Sequence, residues 1–265
     1  MTRDVQILAA RFGVLAADEV GVPDGRPPLV FLHGLGFDRL HWTPILDNLA
    51  AIDRGRHAVS FDLPGHGGSP ARLSYGAADL AVVVPDAVRD AGLDAPIVVG
   101  HSFSGVLATT YAAMYPTRGV VNVDQPLLAD GFAERLRMSE PALRGPEYAQ
   151  VWTALLAGMH VEELPADAQA MIAAAPLPPR ELLLGYWHDL LVMSAGELSE
   201  RTVQALAALR SAGVPYRYVT GAEPSQAYAD WLRSMLPDVS ISVFPGTGHF
   251  PHLARPAEFA KLLCS

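Results

Sequence analysis

Short apolar runs alternate with longer amphipathic stretches along most of the chain, and this alternation predicts its secondary structure. The apolar runs predict strands at 28–32, 57–61, 97–99, 118–123, 216–220 and 240–244, after an edge hairpin over 5–19. The amphipathic stretches predict helices at 40–51, 76–91, 107–115, 202–211, 226–235 and from Pro256 onward. Pro85 is expected to kink or end the second helix. The alternation indicates an α/β fold, with a mostly parallel sheet and helices on both faces.

Between residues 126 and 199 the strand pattern stops and only helical patterns remain, at 131–138, 147–159, 166–174 and 180–192. We therefore expect a core formed by 1–125 and 200–265, with a helical cap (lid) formed by 126–199. A cap with an apolar underside would suit an apolar substrate. Trp152, Tyr186 and Trp187 are its candidate pocket residues, although the same side chains are equally able to pack within the cap alone.

One strand passes into a helix within a few residues, at Gly100-His101-Ser102-Phe103-Ser104-Gly105. This is the spacing of the G-x-S-x-G nucleophile elbow, with Ser104 in place of the last glycine. Read alone, the stretch fits a plain strand–helix turn equally well. However, His33, Asp62 and Asp124 also follow predicted strands. In parallel sheets functional residues gather at these strand ends, which favours a chemical role.

The composition of the chain limits which binding partners and which cellular compartment are expected. Half of the 265 residues are hydrophobic and the formal net charge is −9. Without a basic cluster, nucleic acid and anionic membranes are not expected partners. No apolar run is long enough to span a bilayer, and the first residues do not resemble a signal peptide. Cys264 is the only cysteine, which suits a reducing cytoplasm, and the Ala, Arg, Gly and Pro content favours a bacterial source.

The residues that are scarce also exclude several mechanisms. Lys261 is the only lysine, so a P-loop lysine, a Ser–Lys dyad and a Schiff-base lysine in the middle of the chain are excluded. Neither H-x-H-x-D nor H-E-x-x-H spacing occurs, and the Gly-x-Gly fragments lack the later glycine of a dinucleotide loop. We expect no metal and no cofactor.

Four motifs follow one another along the chain: His33-Gly34-Leu35-Gly36, Asp62-Leu63-Pro64-Gly65-His66-Gly67-Gly68-Ser69, Gly100–Gly105 and Gly248-His249-Phe250-Pro251-His252. Together they resemble the α/β-hydrolase fold family. The resemblance is to its lidded branch, with esterases, lactonases, carbon–carbon bond hydrolases and haloalkane dehalogenases. It covers the chain outside the cap and implies an eight-stranded sheet with one antiparallel strand.

The resemblance also implies a catalytic triad. A serine hydroxyl needs an adjacent base to become a good nucleophile. His249 matches the family's histidine position, on a glycine-flanked loop. The family places the carboxylate at one of two strand ends, which correspond here to Asp124 and to the neighbourhood of Glu223. We favour Asp124 and keep Glu223 as the alternative acid.

Two backbone N–H groups, those of Leu35 and Phe103, are expected to form the oxyanion hole. His101, next to Ser102, is expected either to line the pocket or to pack in the core. Ser102 excludes the aspartate-nucleophile chemistry of the dehalogenases and epoxide hydrolases.

The interpretation that follows is a serine hydrolase that cleaves a small apolar carboxylic ester or lactone through an acyl-enzyme. A cofactor-free dioxygenase that uses the His–Asp pair is one alternative, and a non-catalytic ligand-binding member of the fold is another. The sequence leaves the substrate and the oligomeric state open.

Overall fold

The computed structural model describes residues 7–264, without the side chains of residues 77 and 78. The first two residues of the predicted hairpin, Val5 and Gln6, lie outside the described part. Eight strands form one sheet: β1 Leu8–Phe12, β2 Leu15–Val20, β3 Leu29–Leu32, β4 Ala58–Phe61, β5 Ile97–His101, β6 Gly119–Val123, β7 Tyr216–Thr220 and β8 Ser240–Val243.

The strand order across the sheet is β1-β2-β4-β3-β5-β6-β7-β8. Strand β2 runs antiparallel to both of its neighbours, and the pairs from β4 to β8 are parallel. The edge hairpin and the eight-stranded sheet with one antiparallel strand are therefore confirmed. The central strands are short, continuous apolar runs because both of their faces are buried.

Side chains alternate between the two faces of the sheet, and each face packs on its own helices. Val30 and Leu32 of β3 belong to a large cluster with helices α2 Ala77–Asp90, α3 Phe103–Met114, α10 Ala195–Ala212 and α11 Gln226–Met235. Leu29 and Phe31 belong to a second cluster with α1 Thr43–Ile52 and α13 Pro256–Leu263. The predicted three-layer arrangement is confirmed.

Six α-helices and one short 3₁₀ helix, Val161–Glu163, lie between β6 and α10; the α-helices are α4 Asp130–Met138, α5 Glu140–Arg144, α6 Tyr148–Ala157, α7 Ala166–Ala174, α8 Arg180–Tyr186 and α9 His188–Val192. We call residues 126–199 the inserted helices. The helix predicted over 180–192 is two helices that meet at Trp187, and α5 was not predicted. Helix α10 runs through the predicted boundary between residues 199 and 200.

The structure differs from the helix predictions at three points. Of the two effects expected of Pro85, an end of α2 does not occur, because its buried Leu80, Val84 and Val88 hold it against the core despite the missing hydrogen bond. Helix α10 begins at Ala195 instead of residue 202, because a capping box stabilises its first turn: Ser194 caps the Glu197 N–H and Glu197 caps Ser194. A short helix, α12 Pro251–Ala254, precedes α13 and was missed.

Candidate active site

Ser102 lies in the sharp turn between β5 and α3, in a left-handed backbone conformation with φ +54° and ψ −131°. Side chains rarely adopt this conformation, so the turn holds local strain. A Cβ on Gly100 would lie 1.9 Å from the carbonyl oxygen of Ser104, which explains the glycine two residues before Ser102. The turn exposes Ser102 to a cavity beyond the carboxyl end of the sheet.

Ser104 occupies the last position of the motif without disturbing the turn. Its side chain is fully buried, and its hydroxyl donates a hydrogen bond to the backbone carbonyl of His33. The bond ties the first turn of α3 to the loop after β3, which carries Leu35. The departure from G-x-S-x-G therefore links the two segments whose N–H groups, at Leu35 and Phe103, were predicted to stabilise an oxyanion.

The carboxylate that contacts His249 is that of Asp124. His249 Nδ1 donates to Asp124 Oδ2 over 2.7 Å, and the two residues lie 125 positions apart in the chain. Asp124 follows β6 directly and has φ +56°. Glu223, the alternative acid, is exposed and does not line the cavity that Asp124 and His249 share with Ser102.

The other oxygen of Asp124 is held from β7. Thr220 donates its hydroxyl to Asp124 Oδ1 over 2.6 Å, and the Gly221 N–H donates to the same oxygen over 3.1 Å. Burial alone would raise the pKa of Asp124, but the hydrogen bonds and charge of His249, together with the Thr220 and Gly221 donors, lower it below its usual value. The carboxyl is therefore ionised at neutral pH and fixes the His249 ring with Nδ1 protonated.

The loop that carries His249 is fastened on three sides. The backbone N–H of His249 donates to the carbonyl of Met159 in the inserted helices over 3.2 Å. His101 Nε2 donates to the backbone carbonyl of His249 over 2.9 Å. A Cβ on Gly221 would lie 1.8 Å from the carbonyl oxygen of Gly248, so β7 approaches the loop closely. Among the described residues, His249 Nε2 has no hydrogen-bond partner.

A cavity of about 1170 Å³ lies between the carboxyl end of the sheet and the inserted helices. Its wall includes Ser102, Asp124 and His249, the two residues predicted to form the oxyanion hole, and the predicted pocket residues Trp152, Tyr186 and Trp187. The three aromatic side chains are nearly buried, and they line the cavity while packing in the core. Apolar side chains provide most of the wall.

One predicted pocket residue lies elsewhere. His101 is fully buried and does not line the cavity, because its ring turns toward the His249 loop and packs against Phe250 and His252. Of the two roles expected for His101, the structure thus gives it the packing one, together with a hydrogen bond to the His249 backbone.

Comparison with known proteins identifies the family. A sequence model of the alpha/beta hydrolase family matches residues 29–262. The chain belongs to the alpha/beta hydrolase family. This confirms the resemblance that the four motifs carry, and the observed sheet agrees with it.

Within the alpha/beta hydrolase family, the chain is similar to proteins with different activities. It is 27% identical over 259 residues to the dihydrolipoyllysine-residue acetyltransferase component of the acetoin cleaving system of Cupriavidus necator, covering 90% of this chain and 63% of that protein. It is also 27% identical over 260 residues to the pimeloyl-[acyl-carrier protein] methyl ester esterase of Yersinia enterocolitica, covering 91% of this chain and 93% of that protein. The esterase relatives agree with the predicted ester-acting hydrolase.

A solved structure that describes the recognition and ring cleavage of the Pseudomonas quinolone signal by AqDC has a TM-score of 0.76 to this hydrolase-family chain. It is 15% identical and covers 97% of each chain. At this identity the likeness extends to the fold alone.

Sequence reasoning missed the residues that hold the Asp124–His249 pair in this family member. Thr220 and Gly221 were read only as a strand end and the turn after it, and Met159 only as part of a helix. A hydroxyl at the carboxyl end of β7, followed by glycine, is the one local signal for a carboxylate site there. The contact with Met159 has no local signal, since it joins segments about ninety residues apart.

Outside this site, His160, Glu162 and Glu163 bring potential metal ligands within reach of one another, the one such group in residues 7–264, and all three are exposed. Within residues 7–264, no helix has both the length and the hydropathy that crossing a membrane requires.

Proposed function

We propose that this member of the family is a serine hydrolase that cleaves a small carboxylic ester or lactone through an acyl-enzyme. Ser102 is the nucleophile, His249 the general base and Asp124 the acid of the triad. The N–H groups of Leu35 and Phe103 stabilise the oxyanion. The observation that carries the proposal is the 2.7 Å contact between Asp124 and His249, in a cavity that also holds Ser102.

In the first step, Ser102 Oγ attacks the carbonyl carbon of the substrate as His249 Nε2 takes the hydroxyl proton. This nitrogen has no hydrogen-bond partner among the described residues, Ser102 Oγ included, so it is available to receive the proton. Asp124 stabilises the resulting imidazolium through Nδ1. The carbonyl oxygen becomes negative and is stabilised by the N–H of Leu35 and by that of Phe103, the first residue of α3.

In the second step, the tetrahedral intermediate collapses and the C–O bond to the alcohol breaks. His249 gives its proton to the leaving oxygen, so that an alcohol departs and the acyl group stays on Ser102. Water then attacks the acyl-enzyme with the same general-base help, which releases the acid and restores Ser102. With a lactone, the alcohol and the acid are two ends of one product.

The cavity wall supports an apolar substrate. We infer that residues 126–199 act as a cap, since Trp152, Tyr186 and Trp187 all lie in the wall near Phe103. Tyr186 packs edge-on against Phe103 with ring centroids 5.1 Å apart, so substrate contacts reach the oxyanion region directly. The methyl ester esterase relative supports an ester as the scissile group.

A fluorophosphonate probe tests the proposed nucleophile, because it reacts only with an activated serine. We expect stoichiometric labelling of the protein and its loss in Ser102→Ala. We also expect the protein to hydrolyse members of a panel of short and long acyl esters, lactones and thioesters, and Ser102→Ala to show only background hydrolysis of the same panel. Labelling that persists in Ser102→Ala, or turnover that is unchanged in it, would contradict the acyl-enzyme.

The position of Asp124 favours one second candidate, a cofactor-free dioxygenase. The acid stands at the end of β6, where the family resemblance puts the acid of the His–Asp pair of such enzymes, and His249 Nε2 has no hydrogen-bond partner among the described residues. In this reaction His249 removes a proton from the substrate, and serine is not the attacking group. Oxygen uptake without added cofactor that survives Ser102→Ala would support it. Tight ligand binding with neither labelling nor turnover would support the non-catalytic alternative.

A further inference from the structure

Asp124 needs support that its own hydrogen bonds do not supply. Its left-handed φ costs roughly 1–2 kcal/mol relative to ordinary backbone. The peptide on its N-terminal side is fixed, since the Asp124 N–H donates to the Val219 carbonyl over 2.7 Å. The peptide on its C-terminal side leads out of the sheet at Gln125 and Pro126, where strand pairing ends.

The peptide on the C-terminal side of Asp124 is held by a buried side chain two residues before Asp124. Asn122 Oδ1 accepts the N–H of Gln125 over 3.1 Å, and Asn122 Nδ2 donates to the carbonyl of Gln125 over 2.8 Å. One amide thus holds both polar groups of the residue that follows Asp124. We call this pair of bonds the Asn122 clamp.

The clamp is itself fixed by a directed chain of hydrogen bonds. The second N–H of Asn122 donates to the Tyr216 hydroxyl over 2.9 Å, and this hydroxyl lies 2.9 Å from Thr109 Oγ1. Thr109 in turn donates to the Gly105 carbonyl over 2.7 Å. Each polar group of the Asn122 side chain is satisfied, and Asn122, Thr109 and Tyr216 are all buried. Such a network rigidifies its members when every partner is present.

The same amide contacts the helix behind the nucleophile. A Cβ on Gly105 would lie 2.4 Å from Asn122 Oδ1 and 2.7 Å from the Gln125 Cβ. Gly105 therefore lets α3, which begins next to Ser102, approach the turn that carries Asp124. The network joins α3, β6 and β7 at one point beneath the nucleophile and the acid.

We propose that Asn122 is a positioning residue of the hydrolase, which holds Asp124 in its strained conformation so that Oδ2 meets His249 Nδ1. The proposal rests on the proposed function, because it assigns Asn122 a role that acts through the triad acid. No other polar side chain bonds to Gln125 N–H or its carbonyl among the described residues.

Asn122→Leu tests the proposal, because it keeps the size of the side chain and removes the clamp. We expect kcat for an ester substrate to fall at least tenfold while KM changes less than threefold, and fluorophosphonate labelling to slow in parallel. Tyr216→Phe is a graded comparison: it removes the hydroxyl that fixes the clamp but leaves both clamp bonds, so its loss of kcat should be smaller than that of Asn122→Leu, and an equal or larger loss would contradict the role of the clamp. Should Asn122→Leu fail to fold, Asn122→Asp keeps the acceptor for the Gln125 N–H and should give an intermediate loss of kcat.

A double-mutant cycle separates positioning from general destabilisation. In an Asp124→Asn background, Asn122→Leu should reduce kcat less than twofold further, because its effect passes through the acid that is already disabled. Equal losses in both backgrounds, or an unchanged kcat in Asn122→Leu, would overturn the proposal. If Asp124→Asn alone loses less than tenfold, the triad assignment fails instead, so the two failures are distinguishable.

Discussion

At the residue scale, strained backbone coincides with the proposed chemistry. The described residues that adopt a left-handed φ without being glycine are Ala95, Ser102, Asp124 and His160. Two of these four carry the proposed nucleophile and acid. Strain of this kind persists only where the surroundings over-determine it, and it recurs at functional sites. Here the hydrogen bonds of Asp124 with Thr220, Gly221 and His249 act together with the two bonds between Asn122 and Gln125 to hold the Asp124 backbone.

The choice of acid is the first prediction at this scale. Asp124→Asn should lower kcat by about 10⁴-fold, the loss seen when a triad aspartate becomes an amide, because the imidazolium loses its counter-charge and the ring its tautomer. Steady-state hydrolysis of an ester substrate measures it. Glu223→Gln, an exposed matched control, should leave kcat unchanged. A large loss in Glu223→Gln with a mild effect of Asp124→Asn would reverse the assignment.

The sequence narrowed the acid to two positions but did not choose between them on physical grounds. Asp124 and Glu223 both follow apolar strands, and a strand end is all that the pattern records. What separates them is the path of the chain after β7, which turns Glu223 to solvent and aims Gly221 N–H at Asp124. The position of the His101 ring could not be predicted either, because being next to Ser102 in the sequence does not determine on which side of β5 the ring lies.

At the element scale, strands were predicted within one or two residues, and helix starts less well. A buried parallel strand such as β3 appears as an unbroken apolar run between turn residues, so its limits are visible. The start of α10 was visible too, since Ser194 and Glu197 form a capping-box pattern that was not used. The short helices α5 and α12 contain too few residues for a periodic signal, and packing decides them.

The prediction at the element scale concerns Gly221, which lies where the end of β7 contacts the His249 loop. Gly221→Ala would set a Cβ against the Gly248 carbonyl, so the loop must move and take His249 with it. We expect kcat to fall at least tenfold in a steady-state ester assay. Gly246→Ala is the control in the same loop: its φ is +71° but nothing lies within 4 Å of the added Cβ. It should lose about 1 kcal/mol of stability and keep its kcat, and equal losses of kcat would contradict the contact argument.

At the scale of the whole molecule, buried imidazoles link stability to pH. Desolvation lowers the pKa of five buried histidines: His33, His41, His66, His101 and His252. For His41 and His66 the pKa in the folded protein is about 3, against an ordinary value of 6.5. Below pH 6.5 the unfolded chain therefore binds more protons than the folded one, and the free energy of unfolding falls as pH decreases toward 3.

His41 gives a direct measure of this linkage. Removing its ring in His41→Leu should reduce the slope of unfolding free energy against pH between 6 and 4 by up to about 1.4 kcal/mol per pH unit. Urea unfolding at closely spaced pH values yields the slope, which is compared between variants so that packing losses cancel. Leu40→Ala changes an exposed neighbour that carries no titratable group and should leave the slope unchanged. An unaltered slope in His41→Leu would show that this ring is not buried as a neutral group.

The bond between the His249 N–H and the Met159 carbonyl has a consequence for engineering. It anchors the proposed base to the segment that lines the cavity. Transplanting residues 126–199 from a relative, in order to import its selectivity, would also remove this anchor. Turnover and selectivity are therefore not separable modules in this chain, and a chimera must reproduce the carbonyl that meets His249 before its new preference can be judged.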